Sequence, residues 1–136
     1  MQKLKKIDSE TNILTWFEIP VLDIKRAKKF YETILEIEMV VRADGNDDAV
    51  FFPFNPNVIQ ANSGRVTGVL SKTNRNNPSS SGTLVYINAS PNIQNVLNKV
   101  EQAGGKIIVP KTEMSAGFIA QIIDSEGNKM GLHAEE

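Results

Sequence analysis

The chain offers few side chains with which to do chemistry. It has one histidine, one tryptophan and no cysteine in 136 residues. His133 is therefore the sole imidazole, the group best suited to accept and return a proton near neutral pH. Glu18 is the acid with the most informative neighbours. It lies in Trp16-Phe17-Glu18-Ile19-Pro20-Val21, where strand alternation sets Phe17, Ile19 and Val21 on one face and Trp16, Glu18 and Pro20 on the other. The first face is apolar and belongs under a helix. The second carries a carboxylate, which an apolar core does not accept unpaired, so a cavity is expected there. The same alternation puts Tyr86 with Asn88, and Gly131 with His133. Each candidate has a plainer reading. Glu18 can pair with a lysine or arginine, and His133, three residues from the C-terminal residue, can sit on the surface. Trp16 and Phe118 can be core, and the Tyr86 hydroxyl needs a partner if buried. Glu18 and His133 together would make a two-ligand divalent site, too few protein donors for tight binding.

The elements that must position these residues occur twice. Residues 1–12 read as a tail. Ile13 to Val21 reads as a strand, and Asp23 as the N-cap of a helix whose apolar stripe is Ile24, Ala27, Phe30, Tyr31, Ile34 and Leu35. Strands are expected from Ile37 to Arg42, from Ala49 to Phe54 and from Val66 to Ser71, with turn chemistry at 43–48. Residues 72–82, rich in Asn and Ser, read as a flexible linker. The second half then repeats the first. Thr83 to Ala89 is a strand, and Ser90 a candidate N-cap with Pro91 in the first turn. Asn92 matches Asp23 in standing before an isoleucine. Ile93, Val96, Leu97 and Val100 form a helical stripe, and Gly104 suits a left-handed cap. Three more strands follow at 106–110, 118–124 and 129–134, with a tight turn at 125–128. The reading is one module at 13–71 and another at 83–136, each strand, helix, strand, strand, strand.

Composition narrows the function classes. Net charge is −1 with no basic stripe, which argues against binding a nucleic-acid backbone. No segment is long and apolar enough for a membrane span. The absence of cysteine excludes thiolate chemistry and disulfides, and fits a cytoplasmic protein.

The chain resembles the vicinal oxygen chelate superfamily, the glyoxalase/bleomycin-resistance/dioxygenase group, in its glyoxalase-like bacterial members. The resemblance is carried by Phe17-Glu18-Ile19-Pro20-Val21 with Asp23, by Phe30-Tyr31-Glu32 and by Phe51-Phe52-Pro53. In the second half it is carried by Gly82-Thr-Leu-Val-Tyr-Ile-Asn88, Ala103-Gly104-Gly105-Lys106, Gly117-Phe118-Ile119-Ala120 and Asp124-Ser-Glu-Gly-Asn-Lys-Met-Gly-Leu-His133. It implies an α+β fold: two βαβββ modules with curved mixed sheets enclosing a cavity and helices on the outside. In metal-dependent members, four strand residues hold a divalent metal that acts as a Lewis acid. Here the corresponding positions fall on Trp16, near Leu84, on Gly131 and among Thr67, Val69 and Ser71, none with a carboxylate or imidazole. No cofactor is therefore expected, weak divalent binding near Glu18 or His133 apart.

The family strand order also implies that His133 lies beside Tyr86 or Asn88, with the Gln121 amide on the next strand. That would give a cavity with Glu18 as base, His133 and Tyr86 as its catalytic companions, and Trp16, Asn88, Phe118 and Gln121 as substrate contacts. Two functions fit it. One is a metal-independent lyase or isomerase moving a proton on a small carbonyl compound. The other is a non-catalytic protein, like the bleomycin-resistance members, that sequesters a small aromatic or cationic compound. In the second, Trp16, Phe118 and Tyr86 stack and Glu18 pairs a ligand cation. The resemblance further implies a homodimer.

Overall fold

A computed structural model describes residues 7–41, 48–59 and 61–136. The turn expected at 43–48 falls almost entirely outside the described residues, as do Arg42 and the first half of the tail.

Each half of the chain builds the same unit. In the first, β1 (Trp16–Pro20) leads into α1 (Ile24–Leu35), followed by β2 (Val40–Val41), β3 (Ala49–Phe51) and β4 (Thr67–Ser71). The sheet order is β1-β4-β3-β2, with β1 parallel to β4 and the other pairs antiparallel. The second half runs β5 (Tyr86–Asn88), α2 (Ile93–Val100), β6 (Lys106–Met114), β7 (Gly117–Ile123) and β8 (Lys129–Ala134). Its order, β5-β8-β7-β6, repeats the first, again with one parallel pair. A parallel pair needs a long crossover, and this is why the last strand of each unit returns beside the first. The fold is thus α+β in two modules.

Both helices start as their local chemistry requires. The Asp23 side chain accepts the Arg26 amide at 3.1 Å and the Asn92 side chain accepts the Gln94 amide at 2.9 Å, each removing an orphan donor. Ser90 is therefore not the cap of α2; it and Pro91 precede the helix, joined by a cis peptide bond. Ala27, Phe30, Tyr31 and Ile34 of α1 are buried, as are Ile93, Val96, Leu97 and Val100 of α2. These stripes and the inner faces of both sheets form one continuous core. Strands β1, β2, β3 and β5 are shorter than their apolar patterns suggest, whereas β6 runs on to Met114 through a β-bulge.

The modules are joined by a buried polar clamp. The turn after β7 carries Asp124, Glu126 and Asn128, each less than 8% exposed. Tyr31 Oη donates to Asp124 Oδ2 at 2.6 Å. Glu126 Oε1 accepts the amides of Leu22 and Asp23, both at 2.8 Å, and Arg26 Nε donates to Oε2 at 2.7 Å. Asn128 Nδ2 donates to the Pro20 carbonyl at 2.7 Å. Every donor and acceptor here has a partner, as burial demands. The second module thereby holds the end of β1 and the start of α1.

Candidate functional site

The outer face of the second sheet is where the candidate residues meet. Register pairs Tyr86 with Gly131 and Asn88 with His133 across β5 and β8, and Ile119 with His133 across β7 and β8. Residues directly paired point to the same side. Tyr86, Asn88, His133, Ile119 and Met114 line a pocket of about 460 Å³. None of the five is an acid or a lysine or arginine.

Local contacts decide what each polar group offers. The His133 Nε2 lies 2.6 Å from the carbonyl oxygen of Ala116. A carbonyl oxygen only accepts, so Nε2 carries the proton and Nδ1 of the neutral ring keeps its lone pair. Ala116 is held there by a tight β6–β7 turn. Gly117 has φ +108, and a Cβ on it would stand 2.4 Å from the Ala134 carbonyl oxygen. The Asn88 Oδ1 accepts the Ser90 amide at 2.9 Å, which leaves the amino group of Asn88 to donate elsewhere. The pocket can therefore present an amide N–H, a phenol and an imidazole lone pair beside an isoleucine and a methionine. Two donors able to hold a carbonyl oxygen, with a base beside them, form the minimal equipment for moving a proton next to a carbonyl.

Two other candidates stand apart from this pocket. Gln121 is on the same face by its pairing with Gly131, two residue pairs further along, but does not line the pocket. Phe118 pairs with Ala134 and so points to the opposite, core side, where Lys111 Nζ lies 4.4 Å from its ring centroid. Phe118 therefore does not share the face that carries Tyr86 and His133.

The first module's residues open elsewhere. Ile19 and Val21 are 2% exposed and in the core, whereas Trp16 and Glu18 are exposed on the other face. Glu18 borders a cleft of about 160 Å³ between the modules, together with Ser79, Ser81, Thr83, Asn128 and Lys129. Its carboxylate accepts from Asn76 Nδ2 at 3.4 Å. Within one chain, Glu18 and His133 thus line different hollows. Trp16 lines a third hollow of about 230 Å³ with Phe51, Phe54, Asn55, Pro56, Val58 and Thr67.

The family's metal does not fit the residues at its expected corners. Trp16 pairs with Thr67 across β1 and β4, an indole beside a hydroxyl that donates to the Pro53 carbonyl at 2.9 Å. At Gly131 a Cβ would meet the Tyr86 ring at 2.6 Å, so the ring fills the space an acidic side chain would need. Among the described residues, no three His, Cys, Asp or Glu side chains are grouped so as to hold an ion. A divalent cation requires several such donors.

The glyoxalase/bleomycin resistance protein/dioxygenase superfamily model matches residues 13–132. No curated protein matches the sequence. Among solved structures, a glyoxalase/bleomycin resistance protein from Albidiferax ferrireducens is similar with a TM-score of 0.69 at 17% identity, over 92% of this chain and 100% of the other. A glyoxalase-related enzyme from Fulvimarina pelagi gives 0.65 at 12% identity, over 89% and 86%. A glyoxalase I variant from Zea mays gives 0.60 at 18% identity, over 88% of this chain and 45% of that one. Likeness at such identities extends to the fold alone.

Proposed function

For a chain that belongs to the glyoxalase/bleomycin resistance protein/dioxygenase superfamily, we propose a small-molecule-binding role centred on the outer face of the second sheet. The ligand is an uncharged carbonyl compound. Asn88 and Tyr86 donate to its oxygen, Met114 and Ile119 cover its apolar part, and His133 Nδ1 takes a proton from an adjacent carbon or hydroxyl. Catalysis of this kind is a metal-independent isomerisation or elimination. The observation that carries the reading is the register of β5 against β8, which sets an amide and an imidazole side by side in an uncharged pocket.

The reading includes a homodimer. The outer faces leave Trp16, Val40, Val41, Phe54, Tyr86 and Met114 more than 40% exposed. Such apolar surface favours a partner. Light scattering of the purified protein tests it, and a monomer at micromolar concentration would remove this part.

The deciding experiment is a thermal-shift screen of neutral aldehydes, ketones and hydroxyketones, followed by turnover assays on any that stabilise the protein. His133→Gln should then abolish turnover while leaving most of the binding. Absence of any stabilising carbonyl compound would overturn the proposal. Metal analysis of the same preparation should give well under one divalent ion per chain; a stoichiometric ion would overturn the metal-independent chemistry.

A second reading, sequestration without turnover, draws support from two features of the first module. Glu18 does not share the imidazole pocket, and Trp16 lies among other aromatic rings.

A further inference from the structure

The β6–β7 hairpin ends beside the imidazole of the second module. Met114 of β6 pairs with Gly117 of β7, so Ser115 and Ala116 form the turn between them. The Ala116 carbonyl oxygen lies 2.6 Å from His133 Nε2. His133 is on β8, which runs between β7 and β5. The far side of this strand end is held by the main chain. Ala89 donates its amide to the His133 carbonyl at 2.7 Å. Glu136 accepts the Ile93 amide at 2.9 Å and donates its own amide to the Pro91 carbonyl at 3.3 Å. The end of β8 is therefore fixed from the β5 side, and the hairpin tip closes on it from the other.

Three observations make that contact depend on residue 117. First, Gly117 has φ +108, a backbone conformation that residues with a Cβ rarely adopt. Second, a Cβ there would stand 2.4 Å from the Ala134 carbonyl oxygen, 3.2 Å from Glu135 Cα and 3.3 Å from the Ala134 carbonyl carbon. All three are main-chain atoms of the strand end that is pinned, and they cannot swing aside as the tip of a side chain can. The hairpin would have to lift, taking the Ala116 carbonyl with it. Third, the pocket wall offers the ring no other strong acceptor. Its remaining residues are Tyr86, Asn88, Met114 and Ile119, without a carboxylate, and the Asn88 Oδ1 already accepts the Ser90 amide. A ring nitrogen keeps its proton where a carbonyl or carboxylate receives it, and here that group is the Ala116 carbonyl.

We infer that Gly117 is a positioning residue for His133. Having no side chain, it lets the hairpin tip seat on β8, and the seated Ala116 carbonyl holds the imidazole as its Nε2–H form. The side chain at 116 takes no part, because the contact uses the carbonyl. The consequence for chemistry is that one nitrogen does the whole transfer. A carbonyl oxygen cannot take the Nε2 proton, so Nδ1 both accepts and returns. On abstraction the C–H bond breaks, the Nδ1–H bond forms and the electron pair passes to the carbonyl oxygen of the compound. On return the Nδ1–H bond breaks and that pair forms a new C–H bond. This deepens the carbonyl reading and rests on it for the use made of Nδ1.

The chain has one histidine, so the imidazole nitrogen signals of the ¹⁵N-labelled protein belong to His133 alone. Long-range ¹H–¹⁵N correlation at about pH 9, where an imidazole is neutral, gives the ratio of its two proton-bearing forms. The urea-unfolded protein supplies the unconstrained ratio. In the folded wild type the ratio should favour Nε2–H by about two- to tenfold more than in the unfolded chain, the bias that one net hydrogen bond confers. Gly117→Ala should bring the ratio back toward the unfolded one, with circular dichroism confirming the fold. Ala116→Ser, which keeps the carbonyl and the glycine, should leave the wild-type ratio unchanged. If Gly117→Ala does not fold, Gly117→Asn takes its place, since asparagine tolerates positive φ better and carries the same Cβ. Equal ratios in the folded and unfolded wild type would overturn the inference, as would a folded Gly117 variant that keeps the wild-type ratio. The spectra need no carbonyl compound. An unbiased ring and an empty thermal-shift screen are therefore separate failures, the first of this inference and the second of the carbonyl reading.

Discussion

Glu126→Gln should uncouple the two modules, and its effect should depend on pH in a defined way. The Glu126 side chain is fully out of water while Arg26 beside it remains about half exposed. Burial alone would raise the carboxyl's pKa. Hydrogen bonds from Arg26, from the Asp23 and Leu22 amides and from Ser125 outweigh it and bring the pKa down to about 2 from an ordinary 4.5. At about 1.4 kcal/mol per pH unit, that gap corresponds to about 3 kcal/mol of folding stability. Glutamine keeps the shape but turns an amino group toward the guanidinium or the two amides, so donor faces donor. The wild-type protein should exceed the variant by about 2–4 kcal/mol at pH 7, or about 10 °C in Tm for a chain of this size. The folded-state pKa is depressed, so the stabilisation is complete above the unfolded value of 4.5 and is lost as pH falls toward 2. At pH 3 the difference should be less than about half its value at pH 7. Urea unfolding followed by circular dichroism at both pH values measures it. A difference below about 1 kcal/mol at pH 7, or one that does not change with pH, would refute the clamp.

Other substitutions test neighbouring parts of the argument. Tyr31→Phe removes the hydroxyl that donates to buried Asp124 at 2.6 Å and should cost about 1–3 kcal/mol in urea unfolding. Burial, then the Asp124 charge, raise the Tyr31 phenol well above its ordinary value of 10.0; its ionisation in an alkaline absorbance titration should therefore come only as the protein unfolds, with stability present below pH 10 and falling above it. Gly131→Ala would drive a methyl into the Tyr86 ring, costing about 1–3 kcal/mol and reducing any thermal shift produced by carbonyl ligands. Asp23→Ala should cost about 1 kcal/mol through loss of the α1 cap, read by the same unfolding curves.

Much of the architecture was legible in the chain. The stripes of α1 and α2, the cap at Asp23 and the span of β8 follow from local periodicity and side-chain chemistry, which the fold does not override. The separation of β1 into an apolar core face and a second face with Trp16 and Glu18 was legible for the same reason, because alternation is a property of the strand itself. The short strands were less so: the amides of Ile37 and Met39 donate to the carbonyl and the side chain of Glu32 instead of to a neighbouring strand.

What the chain alone determined was which residues share a face, since that depends on a fixed backbone repeat. Only the tertiary structure decided which faces meet. It set His133 beside Asn88 by strand pairing, turned Phe118 away, and left Glu18 in a separate cleft. It also revealed that the turn at Asp124, Glu126 and Asn128 is a buried clamp on the other module. Those are contacts between residues about a hundred positions apart, and no local period encodes them. They arise from the packing of two modules on one core.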